Sequence, residues 1–424
     1  MKKIWKPVLH KAITGQWRRF LMKKMPAPYP GKMKNPGLYL HVPFCEKLCP
    51  FCPYNREKYD TDKYAEYEKS VHKEINLYAK NVPSQKYVSL YIGGGTPTIN
   101  VPGLVRIIQH MKASFALDDC DICVEFHPSH MEEDCLRALK QTGVTLISIG
   151  VESTNDDLLK RLGRNHDGKT ALESVRRAVS MGFRSVNVDL MFVLPGQTLE
   201  QLDEDLTRML GAGIDQISTY PIFGFPYSEM GMEQGIRGIR RPDEALIRTM
   251  FDLIAIRSRE SGFERCAVWS FLKPSRKKFS SITRHHYLGF GPSAASMIGD
   301  HFYVNTFSVN EYVEALSHGR PVALVMEVPK RIEMAYWLYW RVYEMRIPNE
   351  EFSVLFEQEL EEVFGRLMLI PRALSMAEKN GHGYVITEAG AYWIHRIQNE
   401  YSLNYINRLW GRCRATPWPN EVIL

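Results

Sequence analysis

The sequence has no run of about 18 consecutive apolar residues, so it offers no ordinary transmembrane helix. The N-terminus carries lysines but lacks a continuous apolar stretch with a small-residue cleavage site, and it therefore does not match a secretory signal. We accordingly expect a cytoplasmic protein. Hydrophobic residues make up 45% of the 424 residues, which is enough for a sizeable core and for more than one domain.

Acidic residues are missing from the start of the chain, where the first is Glu46. The first 34 residues carry ten Lys or Arg, so the net charge of +6 belongs to this segment and the remainder is slightly acidic. Apolar residues recur at three- and four-residue spacing over 4–25, which predicts a basic amphipathic helix ended by the proline-rich residues 26–36. Such a helix could lie on the inner face of an anionic membrane, as a peripheral contact, or pack against the protein core.

A dense disulfide framework is also missing, because only three of the eight cysteines are clustered and the chain has no secretory signal. The clustered three are Cys45, Cys49 and Cys52. Clustered thiols in a long chain of this kind indicate a metal site. The pair Cys120 and Cys123 lies in a predicted strand, where residues three apart face opposite sides, so we expect no second metal site there.

From residue 38 the pattern of strand, loop and helix repeats six times. The predicted strands cover 38–42, 87–92, 122–126, 146–151, 185–192 and 216–220, and the helices between them lie near 60–80, 102–114, 131–141, 168–181 and 198–211. This alternation predicts an α/β fold with a parallel sheet, either a partial (β/α)6 barrel or a complete one, whose working loops follow the strand C-termini.

The chain divides into three predicted parts. Residues 1–36 form the basic helix and linker, residues 37–319 form the strand–helix core with an extension, and residues 320–424 form a small C-terminal domain. That last part is helical and aromatic-rich, and residues 384–386 are typical of a short wing strand. We therefore expect it to be winged-helix-like.

The three clustered cysteines have the spacing Cys45-x-x-x-Cys49-x-x-Cys52 and follow directly after a predicted strand. Three thiolates hold three irons of a [4Fe–4S] cluster and leave the fourth iron open for another ligand. S-adenosylmethionine (SAM) can supply its amino and carboxylate groups there, and an electron from the cluster can then release a 5′-deoxyadenosyl radical. The alternative is a zinc site with His41 as fourth ligand, but zinc does not account for the glycine run Gly93-Gly94-Gly95 downstream.

The segment Tyr39-x-His41-x-Pro43-Phe44-Cys45, together with the cysteine spacing and Phe51, resembles a branch of the radical SAM enzymes. This branch contains oxygen-independent coproporphyrinogen III oxidase, heme chaperones and class C radical SAM methyltransferases. The resemblance extends over about 37–316. It implies that Cys45, Cys49 and Cys52 hold the cluster and that Tyr39, His41 and Phe51 belong to the cofactor-binding region.

The resemblance also implies the residues that hold SAM. The loop of Gly93, Gly94, Gly95 and Thr96 would bind the amino group of its methionine part, and glycines allow a backbone to approach a ligand closely. The remaining implied contacts are Glu125 as a SAM ligand, Arg164 with the SAM carboxylate, and Asp189 near the ribose. Arg164 could instead be a solvated surface arginine.

One position departs from the family pattern. Glu152 stands where relatives usually have glutamine, and it could hold the ribose hydroxyls or face the sulfonium group of SAM. Farther along, residues 288–300 resemble a family loop over the active site, near which oxidase and methyltransferase relatives bind a second SAM. One SAM molecule, or two, is therefore expected.

The segment before that loop departs from the decarboxylating oxidase, which has an acidic, histidine-containing signature there. This chain has Trp269 and Phe271, which could line an apolar pocket or pack the barrel end. It also has Arg276, Lys277 and Lys278, which could receive an anionic substrate or form a solvated loop.

Three hypotheses of function follow. The first is radical modification of an apolar or aromatic small molecule, by oxidation or by methyl or methylene transfer from a second SAM. The second is a coproporphyrinogen oxidase or a related enzyme of heme biosynthesis, and the third is a heme chaperone without radical chemistry. An electron donor such as flavodoxin or ferredoxin is the expected protein partner, and no nucleic-acid partner is expected.

Overall fold

The structure is a computed structural model that describes residues 19–225, 227–231, 243–280 and 285–424, with the backbone alone described at 399–405. Most of the predicted helix over 4–25 lies outside these residues. Its C-terminal end is wrong, because Leu21–Lys23 is a strand paired with residues near 325 and 422. Met22 of this strand is fully buried, so its apolar side contributes to the core.

The described strands, in chain order, are β1 Leu21–Lys23, β2 Gly37–Val42, β3 Phe44–Cys45, β4 Glu57–Lys58, β5 Ser89–Gly94, β6 Asp121–Phe126, β7 Leu146–Glu152, β8 Ser185–Phe192, β9 Gln216–Pro221, β10 Glu264–Ala267, β11 Ser270–Leu272, β12 Tyr287–Phe290, β13 Ala295–Ile298, β14 His301–Asn305, β15 Val322–Glu327, β16 Arg346–Pro348, β17 Ala377–Asn380, β18 Gly383–Ile386 and β19 Glu421–Ile423. The described α-helices are α1 Thr61–Asn81, α2 Val101–Ser114, α3 Glu133–Thr142, α4 Asp156–Arg161, α5 Gly168–Ser180, α6 Leu199–Leu210, α7 Glu244–Glu260, α8 Val309–Ala315, α9 Lys330–Tyr343, α10 Asn349–Phe356, α11 Leu360–Ala373 and α12 Glu388–Ala415.

Six neighbouring parallel strands form the centre of the fold, in the order β9, β8, β7, β6, β5, β2. They correspond to the six predicted strands, and the predicted helices follow them in the expected places. Among the described residues the sheet ends at β10 on one side and at β19 on the other, so it is open. The partial barrel is therefore the form that this chain adopts.

Alternation along the strands separates two environments. Leu38, Leu40 and Val42 on β2 are buried against the helices outside the sheet, as both-sided burial of parallel strands requires. Tyr39 and His41 alternate with them and face the interior of the partial barrel, where polar residues from β5 to β9 also meet.

The sheet continues beyond the barrel. β12 pairs in parallel with β2, and β13, β14, β15, β1 and β19 follow in antiparallel order. The large sheet therefore crosses the predicted boundary at 319/320, since β15 and β19 belong to it. The division into three parts stays a prediction about folding units.

The C-terminal region contains the helices α9–α12 and a separate three-stranded sheet in the order β16, β18, β17. The predicted wing strand at 384–386 lies within β18. In the part of the chain that the structure describes, no helix has the length and apolar character needed to cross a membrane.

Candidate active site

The cysteine loop lies between β2 and α1, at the C-terminal ends of the parallel strands. Pairing of β3 with β4 closes its base, and a backbone hydrogen bond from Cys52 N to Cys49 O, 3.2 Å long, forms its turn. All three thiols are free; Cys45 and Cys49 are buried and Cys52 is partly buried. The loop thus presents three unpaired thiols, as a three-cysteine metal site requires.

Arg56 holds this loop from behind, and the sequence analysis did not single it out. Its guanidinium donates to the carbonyl of Cys52 at 2.7 Å and to the carbonyl of Cys49. Burial raises the pKa of the Cys45 thiol and raises the pKa of Cys52 to about 12, while the positive charge of Arg56 opposes both shifts. Coordination to a metal is what would deprotonate these thiols. The signal for Arg56 in the sequence was a lone cation four residues after the last cysteine.

His41 links β2 to the cysteine loop. Its Nε2 donates to the carbonyl of Asn55 at 2.8 Å, and its Nδ1 accepts from the hydroxyl of Tyr39 at 2.8 Å. Burial lowers the pKa of His41 to about 4, so the ring is neutral. Because both ring nitrogens have partners, His41 is not free to be the fourth ligand of a zinc site.

The three glycines of the predicted loop each make room for a different group. A Cβ at Gly93 would lie 2.8 Å from the carboxylate of Glu125, and one at Gly94 would lie 2.8 Å from the ring of His41. A Cβ at Gly95 would lie 2.6 Å from the carbonyl of Phe44 and 3.0 Å from Cys45 Sγ. The glycine run therefore packs directly against the cysteine loop. Thr96, which follows it, donates to Cys45 Sγ at 3.5 Å.

Glu125 lies near the end of β6 beside the glycine run. Its carboxylate accepts from the hydroxyl of Tyr91 and from the backbone N–H of Gly94, the latter at 3.2 Å. Burial raises the pKa of Glu125, and these two hydrogen bonds oppose the shift. Tyr91 was missed as a site residue, although it stands two residues before Gly93 on the same strand face.

Arg164 and Glu152 form a partly buried pair. Glu152 has φ +66° at the end of β7, where the pairing with β8 shifts register between Gly150 and Glu152. Nη1 of Arg164 lies 3.9 Å from the Glu152 carboxylate and 3.7 Å from Cys49 Sγ, and Nη2 donates to the carbonyl of Gly150. The side chain of Arg164 is only 9% exposed, so the alternative of a solvated surface arginine is wrong.

Asp189 faces the interior from β8 and belongs to a hydrogen-bond network. Ser148 donates to its carboxylate at 2.6 Å and Asn187 donates to it at 3.0 Å. Burial raises the pKa of Asp189 to about 8, with further contributions from the neighbouring carboxylates Glu152 and Glu125.

The three carboxylates Glu125, Glu152 and Asp189 thus lie in one partly buried region with Arg164 beside it. Burial raises the pKa of each, so a positively charged group bound among them would offset the cost of ionising them there. SAM carries a sulfonium and an ammonium group besides its carboxylate. The donor set of three acids and one guanidinium is therefore compatible with it.

Comparison with known proteins identifies the domain. Residues 39–209 match the model of the radical SAM superfamily. The chain contains a radical SAM domain. This domain implies a [4Fe–4S] cluster and SAM as cofactors, and the matched residues include the cysteine loop, the glycine run and the three carboxylates.

The chain has relatives with several named activities. It is 29% identical over 355 residues to the heme chaperone HemW of Bacillus subtilis, covering 80% of this chain and 91% of the relative. It is 29% identical to the oxygen-independent coproporphyrinogen III oxidase of Cereibacter sphaeroides, covering 84% and 82%, and 27% identical to the anaerobilin synthase of Escherichia coli O157:H7, covering 74% and 73%.

The fold of the radical SAM protein also has a solved counterpart. The structure of the radical SAM enzyme coproporphyrinogen III oxidase (HemN) from Escherichia coli matches it with a TM-score of 0.73 at 21% identity, covering 94% of this chain and 92% of the other. The match extends over the C-terminal helical region as well as the barrel. It confirms the fold, including the small helical domain.

A large cavity opens beside the candidate site. It has a volume of about 1000 Å³ and its wall includes Tyr39, His41, Tyr91, Gly94 and Glu125. The opposite wall comes from the C-terminal region and is apolar and aromatic, with contributions from α9, α11 and α12. Among the described residues that line it there is no Lys or Arg.

Trp269 and Phe271, which could have lined an apolar pocket, pack the end of the barrel instead. Trp269 is buried and donates through Nε1 to His395, with its ring against Tyr220 and Tyr343, and Phe271 is fully buried. Neither is among the described residues of the cavity wall, so both pack the end of the barrel. Phe51 packs against the apolar side chains of Leu158, Leu162, Met191 and Leu194.

The three basic residues at 276–278, before the family loop at 288–300, each form an ion pair. Arg276 pairs with Asp215 at 3.0 Å, Lys277 with Asp121 at 2.9 Å, and Lys278 with Glu344 at 2.8 Å. Each of these three cations therefore has an acidic partner, and the hypothesis of an anion-binding loop stays a prediction. Cys120 and Cys123 are buried, and neither forms a disulfide.

Proposed function

We propose that this chain is a radical SAM enzyme that acts on a heme-like tetrapyrrole with few acidic groups. The observation that carries the proposal is the cavity, which reaches Glu125 and Gly94 at one end and is otherwise apolar and without cations among its described lining. Similarity to the named heme chaperone and coproporphyrinogen oxidase suggests the tetrapyrrole class.

In this proposal Cys45, Cys49 and Cys52 hold the [4Fe–4S] cluster, with Arg56 and Thr96 ordering the loop around them. A cluster held there would supply the electron for reductive cleavage of SAM. The chain contributes the orientation and the electrostatic environment for this reaction.

The proposed SAM contacts follow from charge and position. Glu125 lies beside the glycine run and would hold the amino group, whereas Asp189 would face the ribose. Arg164 would bind the SAM carboxylate, because its guanidinium already lies between Cys49 and Glu152 and can form two parallel hydrogen bonds to a carboxylate. Glu152 would then fix the orientation of Arg164.

The lack of cations in the described cavity wall bears on which tetrapyrrole would bind there. Coproporphyrinogen carries four carboxylates, and burying a carboxylate without a counter-charge is costly. The described cavity wall offers the hydroxyls of several tyrosines but no cation. We therefore favour a heme-like ring, whose few acidic groups can remain at the mouth of the cavity, over coproporphyrinogen.

The test is anaerobic incubation of the reconstituted protein with SAM, dithionite and either heme or coproporphyrinogen III. We expect heme to raise the yield of 5′-deoxyadenosine above the substrate-free background and coproporphyrinogen to leave it unchanged. Heme that binds but is recovered intact, without extra 5′-deoxyadenosine, would support a heme chaperone instead. Release of CO₂ from coproporphyrinogen would overturn the charge argument, and S-adenosylhomocysteine would indicate methyl transfer from a second SAM.

A charge introduced into the cavity sharpens this test. Ile397 lines the cavity and is 51% exposed, so Ile397→Arg should fold. We expect it to weaken heme binding and to strengthen coproporphyrinogen binding. Val354→Arg is the matched control, because Val354 is equally exposed and does not line the cavity. Equal effects of the two variants would contradict the assignment of the cavity as the substrate site.

Two partner predictions remain proposals. A flavodoxin or ferredoxin would supply the electron. Peripheral membrane contact would involve the basic segment 4–25, of which only the end is described and forms β1. Flotation with anionic vesicles at low salt tests it: the intact chain should float and a chain lacking residues 1–18 should not.

A further inference from the structure

A second group of metal-ligating side chains lies away from the cysteine loop. His285 and His286 come directly before β12, and Glu333 lies in the first turn of α9. Nε2 of His285 is 2.9 Å from Oε1 of Glu333, and Nε2 of His286 is 3.0 Å from the same oxygen. Two imidazoles and one carboxylate therefore converge on one point.

This cluster is enclosed. The side chains of His285, His286 and Glu333 are 5%, 12% and 15% exposed. The ring of Phe356 lies against the ring of His285 at 5.4 Å. Such burial distinguishes the group from the exposed His–Asp pairs that occur on most protein surfaces, and it limits competition from water.

The described ion pairs of Arg341 are with carboxylates other than Glu333. Arg341 lies eight residues after Glu333 on α9, and its guanidinium is 2.8 Å from Glu344 and 3.1 Å from Glu351. The Nδ1 atoms of His285 and His286 are buried and have no hydrogen-bond partner among the described residues. Each Nε2 donates to Oε1 of Glu333, and the unpartnered Nδ1 can take over the ring proton when Nε2 binds a cation.

We propose that His285, His286 and Glu333 bind a divalent transition-metal ion of the zinc type. Two imidazole nitrogens and one carboxylate oxygen are a donor set that such ions accept, with water or another group in the fourth position. The two Nε2 atoms lie 2.9 and 3.0 Å from Oε1 of Glu333, and one ligand atom from each of the three residues lies within 4.8 Å of the others, so a small outward shift would admit the ion. This site is separate from the cysteine loop and does not depend on the proposed substrate.

The ion would join two parts of the molecule. His286 immediately precedes β12, which pairs with the first barrel strand β2, while α9 belongs to the C-terminal helical region. Three residues close to the ligands in sequence line the large cavity, namely Tyr287, Ile332 and Tyr336. Metal binding would therefore fasten α9 to the barrel and fix that part of the cavity wall.

The experiment uses the full chain with its cluster reconstituted, incubated with Zn²⁺ and then freed of loosely bound metal. We expect one equivalent of zinc per chain in addition to the cluster iron. Glu333→Gln keeps the size of the side chain and should lose this zinc while keeping the cluster. His301→Ala, which removes the exposed pair of His301 and Asp300, should retain it.

X-ray absorption at the zinc edge decides where the zinc lies. A site of His285, His286 and Glu333 should show only nitrogen and oxygen ligands at about 2.0–2.2 Å, whereas zinc on the cysteine loop would show sulfur at about 2.3 Å. Bound zinc should also raise the thermal unfolding temperature of the wild type and not of Glu333→Gln. Sulfur ligation, an absence of bound zinc in the wild type, or equal zinc in Glu333→Gln would each overturn the proposal.

Discussion

The two ends of the large cavity are built in different ways. The cysteine loop and the glycine run use short contiguous segments, 45–52 and 93–96, whose side chains and backbone touch each other directly. The opposite wall collects apolar residues from as far apart in sequence as Phe20 and Leu424. Two local motifs are therefore enough to specify cofactor binding, whereas the choice of substrate depends on many residues that no local motif contains.

The largest expected effect comes from the cysteine loop. Reconstituted protein should contain about four irons and four sulfides per chain, and Cys49→Ala should abolish SAM cleavage because the cluster loses a ligand. Cys123→Ala, which changes a buried cysteine on β6, should leave both iron content and 5′-deoxyadenosine formation intact. Full cleavage by Cys49→Ala would break the assignment of the metal site.

The glycine run gives the next largest effect. In Gly95→Ala the new Cβ would lie 2.6 Å from the carbonyl of Phe44, so the cysteine loop has to move. We expect a destabilisation of about 1–3 kcal/mol, the usual range for overpacking, together with loss of most of the bound iron. Gly319→Ala, with nothing within 4 Å of its Cβ, is the control. Thermal unfolding and iron analysis measure both effects, and identical behaviour of the two variants would contradict the close packing.

Glu74 on α1 joins this helix to β14, to α8 and to the loop after β12. Its fully buried carboxylate accepts from Gly291 N at 2.8 Å, from Asn305 at 2.9 Å and from the hydroxyl of Tyr312 at 2.6 Å. Gly291 in turn packs against the carbonyl of His41. Burial raises the pKa of Glu74 from 4.5 to about 7, although the three donors favour the ionised form.

This shift predicts the sign of a pH dependence. Between pH 4.5 and about 7 the folded chain keeps a proton on Glu74 that the unfolded chain has released. The stability that this proton contributes is therefore fully present below pH 4.5 and is lost as the pH rises to about 7. The free energy of unfolding should fall over this range by on the order of 3 kcal/mol. Urea unfolding at pH 5 and pH 8 should show a smaller difference for Glu74→Gln than for the wild type. The exposed Glu66→Gln, on the same helix, should not change the difference.

The last expected effect concerns Arg164 and is confined to SAM binding. Arg164→Ala should weaken SAM binding by about 1.5–3 kcal/mol, the range for a hydrogen bond to a charged group, and leave the cluster absorbance unchanged. The nearby Arg161→Ala should bind SAM normally, because Arg161 is exposed and contacts the carbonyl of Pro195. Calorimetry with SAM measures the difference. An unchanged affinity in Arg164→Ala would rule out contact with SAM and leave Arg164 only its pairing with Glu152.

The chemistry of the domain was predictable because its signals are local. Apolar alternation and helical spacing predicted the six parallel strands, and the predicted strand 185–192 has the bounds of β8. Because parallel strands end at one edge of the sheet, motifs that follow β2, β5, β6 and β8 had to meet there. The cysteine spacing and the glycine run then indicated the cofactors.

The substrate side was less predictable because its residues have no regular spacing. Trp269 and Phe271 pack the barrel end, while much of the apolar cavity wall comes from helices after residue 330. The basic residues 276–278 form ion pairs with acids that lie far from them in sequence.

The helices, the strands and the cluster-binding motif could be predicted from the sequence, since helix and strand periods and contiguous metal ligands require only neighbouring residues. Tertiary structure decided that residues 21–23 form a strand between β15 and β19, because the apolar side of Met22 is buried only when those distant strands provide a surface. It likewise decided the meeting of His285 and His286 with Glu333, 47 residues from the nearer histidine. Such contacts depend on how distant elements pack, and packing energy is shared by residues that have no pattern in common along the chain.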